Sequence, residues 1–290
     1  MSNFYKAGHS FSLTDCTASF SGWELRHPLR IMAIGDTHLA LDDSRGIPFQ
    51  ENSRRMAKSN PDAVKHFLKT LETAENEKYD LILLAGDLVS FPSEAGIEFV
   101  VQALNKTGIP WLYTAGNHDW HYEGLPGSEM ALREEWTRKR LLPLFQGHDP
   151  LMYSVNQNGL EILMLDDSTN EILPEQLAFF RDKVASGLPL LLVMHVPMYV
   201  PGRDIFFSCG NPEWCAANDP YWQIERRPRW PENGHSETTM AFHREVFSAK
   251  NLVAVIAGHT HKFTMDCFNN RIQLVTAQNS CGHYLDLRFS

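Results

Sequence analysis

Five apolar runs in this chain stop abruptly at carboxylates, imidazoles or a carboxamide. Leu29-Arg-Ile-Met-Ala-Ile34 ends in Gly35-Asp36-Thr37-His38, and Leu81-Ile-Leu-Leu-Ala85 in Gly86-Asp87. Trp111-Leu-Tyr-Thr-Ala115 ends in Gly116-Asn117-His118-Asp119, Leu190-Leu-Leu-Val-Met194 in His195, and Leu252-Val-Ala-Val-Ile-Ala257 in Gly258-His259-Thr260-His261. Short apolar runs bounded by such turn signals read as buried strands. Polar groups at the end of a buried strand are costly unless something satisfies them, and a metal ion or a reacting phosphate would do so. Singly, an Asp after a strand reads as a helix cap, a His as a satisfied core residue, and Asn-His-Asp as a capping turn. That reading would have to hold five times over. In open α/β folds ligands collect at the carboxyl ends of strands, so chain direction points these side chains at one crevice.

Between the runs lie amphipathic helices. Ala63, Val64, Phe67, Leu68 and Leu71 share one face, as do Ile97, Val100, Val101 and Leu104 after Pro92. Ser128 to Arg140, Pro174 to about Gly187, and Thr239 to Ser248 also read as helical, whereas the polar stretch with Arg45, Arg54 and Arg55 does not. Hairpins are expected at Gln157-Asn158-Gly159 and around Asn269-Asn270, an edge strand with a turn in the first thirty residues, and a last strand at Tyr284 to Leu287. Apolar strands alternating with helices predict an α/β fold with a mostly parallel sheet covered on both faces. The later hairpins predict a second, more antiparallel sheet packed on it. No repeat or linker divides the 290 residues, so residues 1–290 are expected to form a single domain.

The balance of charge, −9, disfavours a nucleic-acid partner, which usually leaves a basic face, and requires local cations if the substrate is an anion. Five cysteines without a CxxC pair suggest plain reduced thiols. Neither a leader-like apolar segment nor a membrane-length run is present, so the expectation is a soluble, cytoplasmic protein with no membrane partner.

Carboxylate and imidazole together suit Mn, Fe, Zn or Co, whereas an oxygen-only set would suit Mg or Ca. Seven such side chains are about what two divalent or trivalent ions need if one carboxylate bridges. The ordered set GDTH (35–38), GD (86–87), GNHD (116–119), the His of HVP at 195 and GHTH (258–261) resembles the calcineurin-like metallophosphoesterase superfamily. The resemblance implies a four-layer αββα sandwich, two mixed β-sheets flanked by helices, with the metal site at the carboxyl ends of the strands. It also implies that Asp36, His38, Asp87 and His261 hold one metal and that Asp87, Asn117, His195 and His259 hold the second. Asp87 would bridge, a hydroxide held between the ions would attack phosphorus in line, and His118 would bond the phosphoryl oxygen or protonate the leaving oxygen.

Departures from the family pattern narrow the expectation. The second motif, Gly86-Asp-Leu-Val-Ser-Phe-Pro92, lacks the GDxVDRG of Ser/Thr protein phosphatases, hence their orienting Asp and substrate-binding Arg; Asp119 is a candidate for the orienting role. Ser90 stands where purple acid phosphatases carry a Tyr ligand, and Leu39 makes the first motif similar to the DTHL of bacterial cyclic-nucleotide-type phosphodiesterases. The leaning is therefore toward a phosphodiesterase of small, nucleotide-like substrates. A phosphomonoesterase is the alternative. A non-catalytic binding module on the same fold is disfavoured by the complete ligand set, and a DNA nuclease by the acidic balance. Residues 196–237, rich in Pro, Trp and Arg, follow a ligand candidate directly and read as a lid or insertion, with Arg203, Arg226 or Arg227 meeting an anionic group. A folded surface excursion or a subunit contact is the other reading of that segment. His121, two residues after the GNHD imidazole run, Asn117-His118-Asp119, is a further candidate to touch substrate.

Overall fold

All five apolar runs are strands in the computed structural model, which describes residues 8–122, 124–126, 129–215 and 234–290. In chain order the elements are β1 (Ser10–Thr14), β2 (Thr17–Ser21), β3 (Leu29–Ile34), α1 (Ile47–Ala57), α2 (Ala63–Asn76), β4 (Leu81–Ala85), α3 (Glu94–Thr107) and β5 (Trp111–Thr114). Then follow α4 (Glu129–Trp136), α5 (Leu142–Phe145), β6 (Met152–Gln157), β7 (Leu160–Leu165), α6 (Pro174–Ala185) and β8 (Leu190–Val193). The chain continues through α7 (Glu237–Val246), β9 (Leu252–Ala257), β10 (Thr264–Phe268), β11 (Arg271–Val275) and β12 (Leu285–Phe289). None of the described helices is long and apolar enough to cross a membrane.

The strands form two six-stranded sheets, ordered β1-β2-β12-β3-β4-β5 and β10-β11-β9-β8-β7-β6. Both are mixed, as the family resemblance implies, whereas the strand pattern alone suggests one mostly parallel and one more antiparallel sheet. In the first sheet β12 inserts antiparallel to β3 and parallel to β2, and β1 pairs antiparallel with β2. In the second sheet β7, β8, β9 and β11 run parallel, and the hairpin strands β6 and β10 close its two edges antiparallel. Both hairpins turn on residues with positive φ, Asn158 (56°) with Gly159 (99°) and Asn269 (49°) with Asn270 (58°), the conformation a tight two-residue turn requires.

The central runs are apolar throughout because both of their faces are covered. In β8, Leu191 and Val193 join the cluster between the sheets, together with Ile31, Ala33, Ile162, Met164, Ala254 and Ile256. The alternate residues Leu190 and Leu192 pack with Leu177 and Phe180 of α6 and Phe242 and Val246 of α7. On the other side, Phe67 and Leu71 of α2 and Val100 and Leu104 of α3 pack into the same cluster as the first sheet. The period-two alternation thus sends one face of each strand to the other sheet and one to a helix, giving four layers.

Parallel register carries the strand ends to a common level. Ile34 pairs with Leu84, Ala85 with Thr114, and Val193 with Ile256, so the turns that follow open side by side. Two departures from the expected elements concern helices. Helix α1 lies where no element is expected: it buries Gln50 and Ser53 and exposes Ile47 and Phe49, the reverse of the pattern a hydropathy reading looks for. The expected helix from Ser128 to Arg140 is α4 followed by a π-helical turn at Thr137–Leu141 and the short α5.

Candidate metal centre

Five side chains of the strand-end motifs sit on residues with left-handed backbone: Asp36 (φ 56°), His38 (49°), Asp87 (53°), His259 (72°) and His261 (59°). Non-glycine residues avoid this region except for Asn, Asp and His, and such strain, about 1–3 kcal/mol per residue, persists only where neighbouring structure enforces it. Here cross-strand hydrogen bonds enforce it. Asp36 N donates to the Gly86 carbonyl (3.1 Å), His38 N to that of Asp87 (2.9 Å), and Gly258 N to that of His195 (2.9 Å). Two motif glycines are required by close approach. A Cβ on Gly116 would stand 2.2 Å from Asp87 Oδ1, and one on Gly258 would stand 2.7 Å from Asp36 Oδ2.

All seven ligand candidates meet in one crevice at the carboxyl ends of β3, β4, β5, β8 and β9. His38 Nε2 lies 2.9 Å from His261 Nε2, and Asp36 Oδ1 lies 3.6 Å from the same His261 nitrogen. Asp87 Oδ2 stands between the two halves, 3.7 Å from His38 Nε2 and 3.3 Å from His195 Nε2. Asn117 Oδ1 lies 3.1 Å from His195 Nε2 and 3.2 Å from His259 Nδ1. Asp36, His38 and His261 form one cluster that could hold an ion, and Asp36, Asp87 and His195 form another.

The donor chemistry calls for cations. A carbonyl oxygen only accepts, so the 2.8 Å contact between His195 Nδ1 and the Ala85 carbonyl puts a proton on Nδ1. In the neutral ring, Nε2 is then a bare lone pair aimed at two further acceptors, Asp87 Oδ2 and Asn117 Oδ1. This is the arrangement of a metal-binding imidazole whose other nitrogen is fixed by a backbone carbonyl. Without an ion, a proton has to serve as the cation. Burial disfavours a charged His195, but the Asp87 carboxylate outweighs it and raises the imidazole to about 10. Burial pushes Asp87 up as well, yet His195 and His118 more than offset it and hold the carboxyl well below the usual range. Burial drives Asp36 up to about 8 and His38 down to about 3. The residues therefore fit a pair of metal ions, with both imidazole and carboxylate donors within reach of each.

His118 is half-buried, its ring edge-on to His38 at a centroid distance of 5.0 Å, and its backbone N–H donates to Asp87 Oδ1 (2.8 Å). Asp119, expected to orient that imidazole, has its two oxygens engaged elsewhere. Oδ1 accepts from Val89 N (2.9 Å), and Oδ2 accepts from Gly116 N and the Tyr113 hydroxyl (both 2.9 Å). It braces the loop that carries His118 rather than touching the ring. His121 is buried, with its ring 6.0 Å from that of Trp120. Arg203 is held by Asp266, with Nε 2.8 Å and Nη2 2.7 Å from Oδ1. Arg226 and Arg227 lie outside the described residues. The described part of the lid candidate is anchored at its root: Ser208 Oγ donates to Asn170 Oδ1 (2.6 Å), and the ring of Trp214 stacks on that of His235 at 4.5 Å.

A buried polar loop after β7, Asp166-Asp167-Ser168-Thr169-Asn170, was not singled out by the motif reading. Asp167 Oδ1 accepts from His195 N (2.9 Å) and Val196 N (3.0 Å), and Ser168 Oγ accepts from Trp120 Nε1 (2.9 Å). This loop ties His195, the His118 loop and the root of the lid candidate to one point. The signal for it was present: β7 is a sixth apolar run that ends in carboxylates.

Comparison with known proteins is consistent with this geometry. The profile of the calcineurin-like phosphoesterase family matches residues 29–263. A probable cyclic nucleotide phosphodiesterase of Psychrobacter sp. (strain PRwf-1) is 29% identical over 164 residues, covering 52% of this chain and 46% of that protein. Another, from Psychrobacter arcticus, is 26% identical over 187 residues, covering 63% and 57%. The chain thus spans about half the length of the curated relatives it matches. Among solved structures, a dimetal phosphatase from Danio rerio superposes with a TM-score of 0.57 at 10% identity, covering 88% of this chain and 91% of that one. A purple acid phosphatase from yellow lupin seeds gives 0.52 at 14%, covering 93% and 48%. At such identities the likeness is one of fold.

Proposed function

This chain belongs to the calcineurin-like phosphoesterase family, and we propose that within it the protein is a two-metal hydrolase of small, nucleotide-like phosphodiesters. In this reading Asp36, His38, Asp87 and His261 hold one transition-metal ion, and Asp87, Asn117, His195 and His259 hold the other. The observation that carries it is the His195 lone pair facing Asp87 and Asn117, an arrangement of acceptors that a cation resolves. Two such ions, when bound, supply an activated water and neutralise the charge that develops in an in-line displacement.

The chain's own residues do the rest. Asp87 lies between the imidazoles of both halves and also receives the His118 backbone N–H, so the site's charge and the position of His118 are set together. His118, half-buried beside His38, holds the proton that the leaving oxygen takes up. Asp119 and Asp167 act as positioning residues, the first by bracing the His118 loop, the second by fixing the backbone of His195. The diester preference draws support from the Leu39 of the DTHL-like motif and from the printed names of the two Psychrobacter relatives. The mixed imidazole and carboxylate set favours Mn, Fe, Zn or Co. The core shared by the two sheets supports one domain for the described residues, in line with a single domain over the chain, and five free cysteines suit a cytoplasmic location.

The test is a paired rate comparison on bis-p-nitrophenyl phosphate and p-nitrophenyl phosphate with Mn, Fe, Zn, Co and Mg added separately to stripped protein. Faster diester cleavage with one of the first four metals is expected. Preference for the monoester would replace the diesterase reading by the monoesterase one, and cleavage unaffected by stripping would remove the metal from the account.

A further inference from the structure

A recess of about 530 Å³ adjoins the metal centre, and the mechanism above does not use it. Its lining joins His259 and His261 to Phe206, Arg203, Lys262 and Thr264. The volume lies in the range of small-molecule sites, about 300–1,000 Å³. A phosphoester held at His259 and His261 would project one of its substituents into this space.

The lining selects the substituent. Phe206 is half-buried, and its ring centroid lies 6.5 Å from that of His259, so a flat group attached to a phosphate at the metal centre comes within stacking reach. Lys262, Thr260 and Thr264 make the lining beside the ring polar in part. Such a lining suits a nucleobase, whose edge offers both donors and acceptors, better than a purely apolar aryl group. Arg203, pinned by Asp266 and lying 5.3 Å over the Phe207 ring, is a wall and not a free anion clamp. Lys262 has no carboxylate within ion-pair distance among the described residues, and its ammonium suits an anionic ligand.

We propose that this recess is a base-binding subsite, in which Phe206 stacks on the nucleobase of a nucleoside phosphodiester. This rests on the phosphodiesterase reading and deepens it by naming the recognised group.

The test compares two esters with the same leaving group, thymidine 5′-(p-nitrophenyl phosphate) and methyl p-nitrophenyl phosphate, on the metal-loaded 290-residue chain. Stacking is worth about 1–3 kcal/mol per base, and 1.4 kcal/mol is tenfold. Phe206→Ala is therefore expected to lower the preference for the nucleotide ester about tenfold, through KM, while Phe206→Trp retains it. A preference unmoved by Phe206→Ala overturns the subsite. Calorimetry gives an independent readout: wild-type protein should bind thymidine 5′-monophosphate more tightly than inorganic phosphate, and Phe206→Ala should lose about tenfold of that difference. Equal binding of the two by wild type overturns the subsite as well. If wild type cleaves neither ester with any metal, the hydrolase reading falls, and the calorimetry still decides the recess.

Discussion

His195 is constrained from three directions. Its Nδ1–H is committed to the Ala85 carbonyl, its backbone N–H to Asp167, and its Nε2 to the crevice. Groups that fix a metal-binding histidine typically matter 10–100-fold in metal affinity. Asp167→Ala should therefore weaken metal binding by about that factor and lower the melting temperature, because two buried amides lose their acceptor; Asp167→Asn, which keeps an oxygen, should recover most of the affinity. Metal titration followed by calorimetry measures both, and equal affinities in all three proteins would refute the positioning role. His118 differs in kind. His118→Ala should cost about 10²–10⁴-fold in turnover with metal content retained, as read by paired kinetics and elemental analysis. Loss of metal in that variant would move His118 from the substrate to the ligands.

Elements place these residues by the turns that follow the strands. Gly116→Ala would drive a Cβ into Asp87 Oδ1, and Gly159→Ala would strain a hairpin turn at φ 99° that lies on the edge of the second sheet. Both should destabilise, the second by about 1 kcal/mol. Only Gly116→Ala should also lose most of its metal and activity; comparable activity loss in the two variants would deny the close approach. The same elements explain what could be read in advance. Runs such as Leu81–Ala85 were legible because both faces are buried and the chain stops at Gly86-Asp87. Helix α1 was not, because it inverts the usual pattern by burying Gln50 and exposing Ile47. The destination of β12 was not, because its partners Thr17–Phe20 and Leu29–Ala33 stand at the other end of the chain. The bracing role of Asp119 was invisible too, since Val89 belongs to another segment and nothing in the spacing shows that the side chain turns back onto Gly116 and Tyr113 of its own segment.

For the whole molecule, metal and proton compete for one buried cluster. Asp36 and Asp167, raised to about 8 and about 7, and His195, raised to about 10, bind more protons in the folded chain than in the unfolded one. Their contributions are full below the unfolded values and are lost as pH rises through the folded ones. His38, pushed down to about 3, acts in the opposite sense, but only below its ordinary value of 6.5. Above pH 6.5 the contributions all run one way, so metal-stripped protein should lose stability from pH 6.5 to about 9. Metal-loaded protein should not follow it, and the gap in melting temperature should widen with pH. A constant gap would mean that the ions bind elsewhere.

If two ions held by seven side chains carry phosphodiester hydrolysis, titrating stripped protein with Mn²⁺ while following bis-p-nitrophenyl phosphate cleavage shows it in the stoichiometry. The rate should rise from near zero and level off at two equivalents per chain, with elemental analysis at the plateau giving the same number. Full activity before any metal is added, or a plateau at two equivalents that survives Asp87→Ala, would contradict it.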